Sequence, residues 1–405
     1  MYERIEETEE SEIITTDLFP EDHKYLTFLK KVFRHEFRKN GFRRISTDIL
    51  EDGKFRENAE IGIMNAYLSH HCNEQIQPIY YYYMDHFLND DEQEERIGGE
   101  VIGENDPILD AISVYLNYIS LNKIGLENTF VITINSVGIE KEKIKYKEEL
   151  QNFYANKKHM LSDESLKLLE TNPMLLLGLE NEDEKILATQ APSMIKFLKK
   201  DSKAHYLKFK EYLDLLQIPY IEDHTLISKN DYNTNTVWQI KSETGKTIGN
   251  GARYNTLAKT LGNPKDITAT GFHINTSVVI EMLKNRDIKI LNKDQIDLFF
   301  VQLGDEAKMS ILPLSIEARE AGINTVVSLG TPSMKEQMLK ANRSGAKYVV
   351  MVGIMEARSG VYQVRNIEAG TQEEVKKEEL IEYIIGKIGK EKLDFYCPAK
   401  DLIKE

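Results

Sequence analysis

Three short runs near the C-terminus, IDLFFVQL (296–303), NTVVSL (324–329) and KYVVMVG (347–353), are almost wholly apolar. A strand without polar alternation offers no face to water, so such runs belong in a parallel sheet covered on both sides. Helical segments separate them, EAKMSILPLSIEAREAG and SMKEQMLKANRSG, and this βαβαβ order calls for right-handed crossovers. VYQVRNI and the EAGTQEEV turn add a hairpin, and EELIEYIIGKI a closing helix. Pro313 inside the first helix predicts a kink, since an unrelieved interior proline costs about 3 kcal/mol. Residues 291–405 are therefore expected to form a small α/β domain behind a linker near 285–295.

Residues 1–290 carry a different pattern. FPEDHKYLTFLKKVFRHEFRKNG places Tyr25, Leu29, Val32 and Phe33 on one helical face, with Gly41 set to end the helix. FRRISTDIL alternates Ile45, Thr47 and Ile49, a strand pattern. The helix AEIGIMNAYLSHH leads to the β-prone QPIYYYYMDHF. DPILDAISVYLNYISLNKIG reads as a helix capped by Asp106 with Pro107 in its first turn, followed by the strand TFVITINSV. From about 140 to 220 the chain turns Lys/Glu/Leu-rich (KIKYKEELQNFYANK, DESLKLLE, APSMIKFLKK, SKAHYLKFKEYLDLLQI), the signature of a helical insertion. TVWQIKSETGKTIGNG restores strands around a hairpin turn at Glu243–Lys246, and NTSVVIEMLKN is a helix.

Composition narrows the function classes. No apolar run is long enough to span a bilayer, and the acidic start MYERIEETEESE is no signal peptide, so a cytoplasmic protein is expected. Cys72 and Cys397 are far apart, which argues against a disulfide framework. His70-His71-Cys72 are adjacent on an expected helix and point to different faces, so no metal site is read there. The net charge of −14 opposes a generic nucleic-acid coat. The excess acid lies upstream, since about 16 Lys/Arg meet about 18 Asp/Glu from Leu291 onward.

The order of motifs closely resembles a class II aminoacyl-tRNA synthetase, specifically the histidyl-tRNA synthetase family. TTDLFPED is similar to G-T-R-D-x-L-P-E-D, and KNGFRRISTDILED to the dimer-forming G-F-x-x-I-x-T-P-x-L-E. LISKNDYNTNTVWQI resembles the histidine-binding R-G-L-D-Y-Y-T-G-T-V-F-E, GNGARYNTLAKTLG the element G-G-G-R-Y-D-G-L, and GFHINTSVVIEML the third motif G-F-x-x-G-x-E-R. SMKEQMLKANRSGAKY through TQEEV resembles the anticodon-binding domain. The resemblance implies an α+β fold: an antiparallel sheet with flanking helices and a helical insertion (1–290), then an anticodon-binding-like α/β domain (291–405), in a homodimer. Asp48 replaces the proline of the dimer motif.

Amino-acid activation piles negative charge on phosphoryl oxygens, so it depends on preorganised cations, and arginine suits the task best. By this resemblance the expected arginine positions hold Ser228, Leu88 or Asn89, and Val278, and the segment before Glu100 is shorter than the family pattern by about seven residues. No catalytic residue is therefore assigned. In the implied histidine pocket Asn58, Glu60, Arg96, Asn233 and Asn235 depart from the pattern, whereas Arg56, Glu100, Asp231, Tyr232, Thr234 and Tyr254 match it and are the candidate ligand-binding residues. Lys335, Arg343 and Glu356 are the candidate RNA contacts.

These departures favour a non-catalytic relative that binds tRNA, a histidine-like ligand or a protein partner, with no cofactor. A divergent active histidine–tRNA ligase, using ATP and magnesium, is the alternative. A regulatory subunit like that of ATP phosphoribosyltransferase is the third reading, opposed by the C-terminal α/β domain.

Overall fold

The computed structural model describes residues 14–15, 19–48, 50–51, 54–89, 92–179, 181–286, 288, 290, 296–328, 330 and 333–393. They form two compact units, Met1–Ile290 and Leu291–Glu405.

In the first unit β1 (Ile14–Thr15), α1 (Pro20–Lys39), β2 (Arg43–Arg44), β3 (Leu50–Glu51), β4 (Lys54–Phe55), α2 (Ala59–Ser69), β5 (Ile79–Asn89), β6 (Glu92–Ile102), α3 (Ile108–Lys123) and β7 (Phe130–Gly138) come first. The helices α4 (Glu140–Ala155), α5 (Asp163–Thr171), α6 (Glu182–Thr189) and α7 (Lys200–Leu215) follow. The unit closes with β8 (Ile221–Glu222), β9 (Thr234–Ser242), β10 (Thr247–Arg253), α8 (Leu257–Thr260), β11 (Ala269–Asn275) and α9 (Thr276–Asn285). The main sheet runs β2-β5-β6-β11-β10-β9-β7-β8, with β1 beside β6. Its central pairs are antiparallel and its short edge strands β1, β2 and β8 parallel.

The main core lies on one face of the sheet, and the other carries buried polar side chains beside a smaller apolar cluster of Tyr83, Phe87 and Ile102 with Ile63, Met64 and Tyr67 of α2. Register places Tyr82, Met84, Ile97, Val101, Phe272, Ile274, Trp238, Ile240, Ile132 and Ile134 on one side, where all are buried in a single core. Helix α1 closes this side with Leu26, Leu29, Phe33 and Phe37, spaced as one helical stripe. Phe37 stacks on Tyr82 with ring centroids 4.8 Å apart. Tyr146, Leu150, Leu169 and Leu187 of α4–α6 and Phe209 and Leu213 of α7 enter the same core, so the helices of 140–215 share it with the sheet.

Several local outcomes differ from the sequence reading. The Ile45–Thr47 stretch is irregular after Arg44, held by Ile45 N–H donating to the Tyr82 carbonyl, and Ile49 lies outside the described residues. Helix α3 begins at Ile108, whose N–H donates to the Asp106 carboxylate. APSMIKFLKK forms only a 3₁₀ turn at Met194–Lys196, capped by Ser193, because Pro192 stops a helix from entering there. Helix α6 forms instead from NEDEKILAT, with the Asn181 side chain accepting from Asp183 and Glu184 N–H. Helix α2 ends at Ser69, and His71 takes a left-handed φ of 51°.

In the core side of the sheet one carboxylate gathers four elements. Asp110 on α3, fully buried, accepts from the Arg253 guanidinium of β10 at 2.9 and 3.1 Å and from Thr236 Oγ1 of β9 at 3.0 Å, and pairs with His205 Nε2 of α7 at 2.8 Å. Despite burial, chiefly the Arg253 charge and the His205 hydrogen bond lower its carboxyl from 3.8 to about 2.

The second unit is β12 (Leu298–Gln302), α10 (Asp305–Glu320), β13 (Thr325–Val327), α11 (Met334–Arg343), β14 (Tyr348–Val352), α12 (Ile354–Ser359), β15 (Val361–Asn366), β16 (Gln372–Lys376) and α13 (Leu380–Ile388). The sheet order β13-β12-β14-β15-β16 is parallel across the three apolar runs and antiparallel in the hairpin. Helix α10 continues through Pro313 to Glu320. Met309, whose carbonyl loses its partner, is exposed, so water replaces the missing donor.

Asp110→Ala should cost about 3–5 kcal/mol, because it strands a buried guanidinium. A carboxyl depressed in the fold contributes stability above its ordinary value of 3.8 that disappears as pH falls toward about 2. Urea unfolding curves of the two proteins should diverge near neutrality and converge in acid.

Candidate functional site

The other face of the sheet carries polar side chains. Strand pairing sets Tyr81, Tyr83 and Asp85 of β5 beside Glu100, Gly98 and Arg96 of β6, and these beside Gly271, His273 and Asn275 of β11. Two glycines let large side chains lie flat on this floor. A Cβ on Gly271 would fall 1.5 Å from Glu100 Oε2, and one on Gly98 would fall 2.3 Å from the Tyr83 hydroxyl. The residue types at these two positions thus decide where the acid and the phenol sit.

Glu100 is buried and accepts from Tyr254 Oη at 2.5 Å. Glu60, half-buried in the first turn of α2, accepts from Tyr232 Oη at 3.0 Å. Burial pushes the Glu100 carboxyl well above 4.5, the Glu60 charge adds to the rise, and the Tyr254 hydrogen bond opposes it. Glu60 is raised mainly by burial, against hydrogen bonds from its own backbone and Tyr232 and the charge of Arg96. Burial and the two acids likewise hold the Tyr83, Tyr232 and Tyr254 phenols up and neutral. His273 is lowered to about 3 by burial and by Arg96, so its ring is neutral.

The basic groups around this face are engaged elsewhere. Arg96 is bound by the Glu94 carboxylate, donates to the Glu57 carbonyl at 2.6 Å and lies over the Phe87 ring. Lys143 of α4 is buried and donates to the carbonyls of Asp231 and Asn233 at 2.7 and 2.5 Å. Arg253 points to the opposite, helical face, where Asp110 and the Glu104 and Asp106 carbonyls take its donors. Arg56 lies against Gly62, beside Thr47, two positions along α2 from Glu60 and hence on another side of that helix.

The expected arginine positions have other tasks. Ser228 accepts from Asn230 N–H and from the Asn233 amide, closing the 228–233 turn. Val278 packs against the main core on α9. The side chains of Leu88 and Asn89 lie outside the described residues. Their backbone pairs with β6 down to Asn89↔Glu92, leaving residues 90 and 91 between the strands.

Matches to known proteins are consistent with this frame. Residues 298–387 match the anticodon binding domain family. The histidine–tRNA ligase of Halothermothrix orenii is 33% identical over 337 residues, covering 81% of this chain and 80% of that protein. The chain belongs to the histidyl-tRNA synthetase family. The corresponding ligase of Thermotoga petrophila is 28% identical across 93% of this chain and 98% of its own. Apo histidyl-tRNA synthetase from Staphylococcus aureus superposes with a TM-score of 0.76 at 26% identity, covering 95% of this chain and all of that one.

Within this histidyl-tRNA synthetase fold, four of the six candidate ligand residues fall on or beside the cleft: Glu100, Tyr232 and Tyr254 as described, and Thr234, buried, with Oγ1 accepting from Asn255 N–H at 3.3 Å. The Asp231 side chain is 78% exposed, 3.8 Å from Lys147, and Arg56 turns away toward Gly62. Tyr83 and His273 were not singled out in the sequence. Their signal was present, since alternation in the IYYYYMDHF and GFHIN runs sets them on the Glu100 side. In the second unit Lys335 and Arg343 are exposed on α11 with Leu339 between them, about 12 Å apart along the axis. Glu356 accepts from Gly353 N–H at 2.9 Å and so caps α12.

A carboxyl raised in the fold contributes stability below its unfolded value that is lost as pH climbs through its folded one. Glu100→Gln, which keeps an acceptor for Tyr254, should therefore gain on the parent as pH rises from about 5 to about 8. Thermal unfolding across that range checks the sign.

Proposed function

We propose that this histidyl-tRNA synthetase-family protein does not activate amino acids and works by binding, with tRNA on its anticodon-binding domain and a histidine-like small ligand in the cleft. The observation that carries the proposal is the register of β5 with β6. The strands stay paired to Asn89↔Glu92, so only residues 90 and 91 separate them in the sequence, and the flanking Leu88 and Asn89 bring no charge. Ser228 and Val278 bring none either. Every cation described above on or near the cleft is tied to a carboxylate, a backbone carbonyl or another face.

Removing one preorganised donor from a reacting oxyanion costs roughly 3 kcal/mol, and three such positions are empty of charge here. Such losses need not add, but neutral side chains cannot replace them. Binding needs less. Lys335 and Arg343 are exposed on α11 and form no ion pair among the described residues, so phosphates can meet them. A two-fold homodimer across the region of β2 and Asp48 completes the proposal, since β2 is a sheet edge and both its residues are exposed.

Histidine-dependent ATP–pyrophosphate exchange should stay at the level of a control lacking histidine. Exchange above that control would establish the active-ligase reading, which the similarity to histidine–tRNA ligases supports. Lys335→Ala with Arg343→Ala should weaken tRNA binding and reduce the slope of log affinity against log salt by about 2. An unchanged slope would remove α11 from the interface.

A further inference from the structure

The cleft combines two acids with an unused donor. Beyond burial, the Glu60 charge raises the proton affinity of Glu100, and both acids raise that of the Tyr83 phenol on the sheet floor. Tyr83 is 3% exposed and its hydroxyl, laid over Gly98 between Arg96 and Glu100 on β6, is engaged by no hydrogen bond among the described residues. That hydroxyl can still donate to a guest seated beside Glu100. Tyr232 and Tyr254 already point their hydroxyls at the acids, Tyr254 from within the apolar cluster, which leaves the half-buried Tyr232 ring to flank a guest.

We infer that the cleft binds a small organic cation carrying an amine and a second basic nitrogen but no carboxylate. This rests on the non-catalytic reading and specifies its ligand. A dication meets the buried carboxylate of Glu100 and the half-buried one of Glu60 at once, and tyrosine rings favour ammonium and imidazolium groups over their faces. Free histidine meets a different balance. Its own carboxylate would enter a cleft that already holds Glu60, Glu100 and Glu94, while Arg96, the guanidinium on this floor among the described residues, is bound to Glu94 and the Glu57 carbonyl. Ser228 and Val278, at the positions where a cation would be needed, are a turn lock and a core side chain. His273 stays neutral and supplies no charge.

Isothermal titration calorimetry of the full chain with histamine, 1,4-diaminobutane and L-histidine tests the inference. At least one of the two carboxylate-free cations should bind at least about tenfold more tightly than histidine, and Glu60→Gln should weaken that binding by about tenfold. Glu60→Thr, smaller and also neutral, should do the same, and circular dichroism confirms that either variant is folded. Histidine binding as tightly as both cations, no binding of either cation, or unchanged affinity in both folded variants would overturn the inference. Pyrophosphate exchange on the same sample separates the two levels. Exchange overturns the non-catalytic reading, whereas its absence together with any of those outcomes overturns only the ligand assignment.

Discussion

The ion pair between Asp110 and Arg253 fixes the architecture on which the cleft depends. Both side chains are fully buried, and their partners on α7 and β9 join four elements of the core at one carboxylate. A buried charge is tolerable only when its hydrogen-bonding capacity is met, and here Asp110 and the neighbouring carbonyls meet it. The same geometry commits the guanidinium of β10 to the helical side of the sheet. Strand alternation then gives the other side to Arg96, Glu100, His273 and Tyr83.

That polar face has the wrong sign for handling phosphates. Its floor is set by Glu100 lying across Gly271 and Tyr83 lying across Gly98, and burial, with the Glu60 charge, raises the proton affinity of Glu100. Phosphoryl chemistry needs the opposite, fixed positive donors that require no reorganisation. The fold of a synthetase is retained, and cation binding is the role proposed for its cleft.

The fold was legible where sequence patterns are strong. Continuous apolar runs forecast the parallel strands β12, β13 and β14, and the β-prone composition of QPIYYYYMDHF forecast β5. Legibility failed where a local signal competed with tertiary context. Ile45–Thr47 alternates like a strand but follows a two-residue edge pairing, and Pro192 cancels the helical composition of 191–200. In the cleft, Glu100, Tyr232 and Tyr254 were legible through resemblance. Tyr83 and His273 were not, because their importance comes from neighbours on other strands and from the glycines beneath them. Asp231 looked like a ligand in the sequence, yet its carboxylate faces solvent while its carbonyl serves Lys143.

The central claim is that nothing fixed and positive meets phosphate in this cleft. Its most direct test is equilibrium binding of a non-hydrolysable histidyl-adenylate analogue to the full chain, followed through the fluorescence of its single tryptophan, Trp238, which lies in the sheet. The account predicts no saturable binding up to about 1 mM, a limit near −4 kcal/mol. Micromolar binding, with a crystal structure showing a guanidinium or ammonium group against the analogue's phosphate-mimicking group, would contradict it.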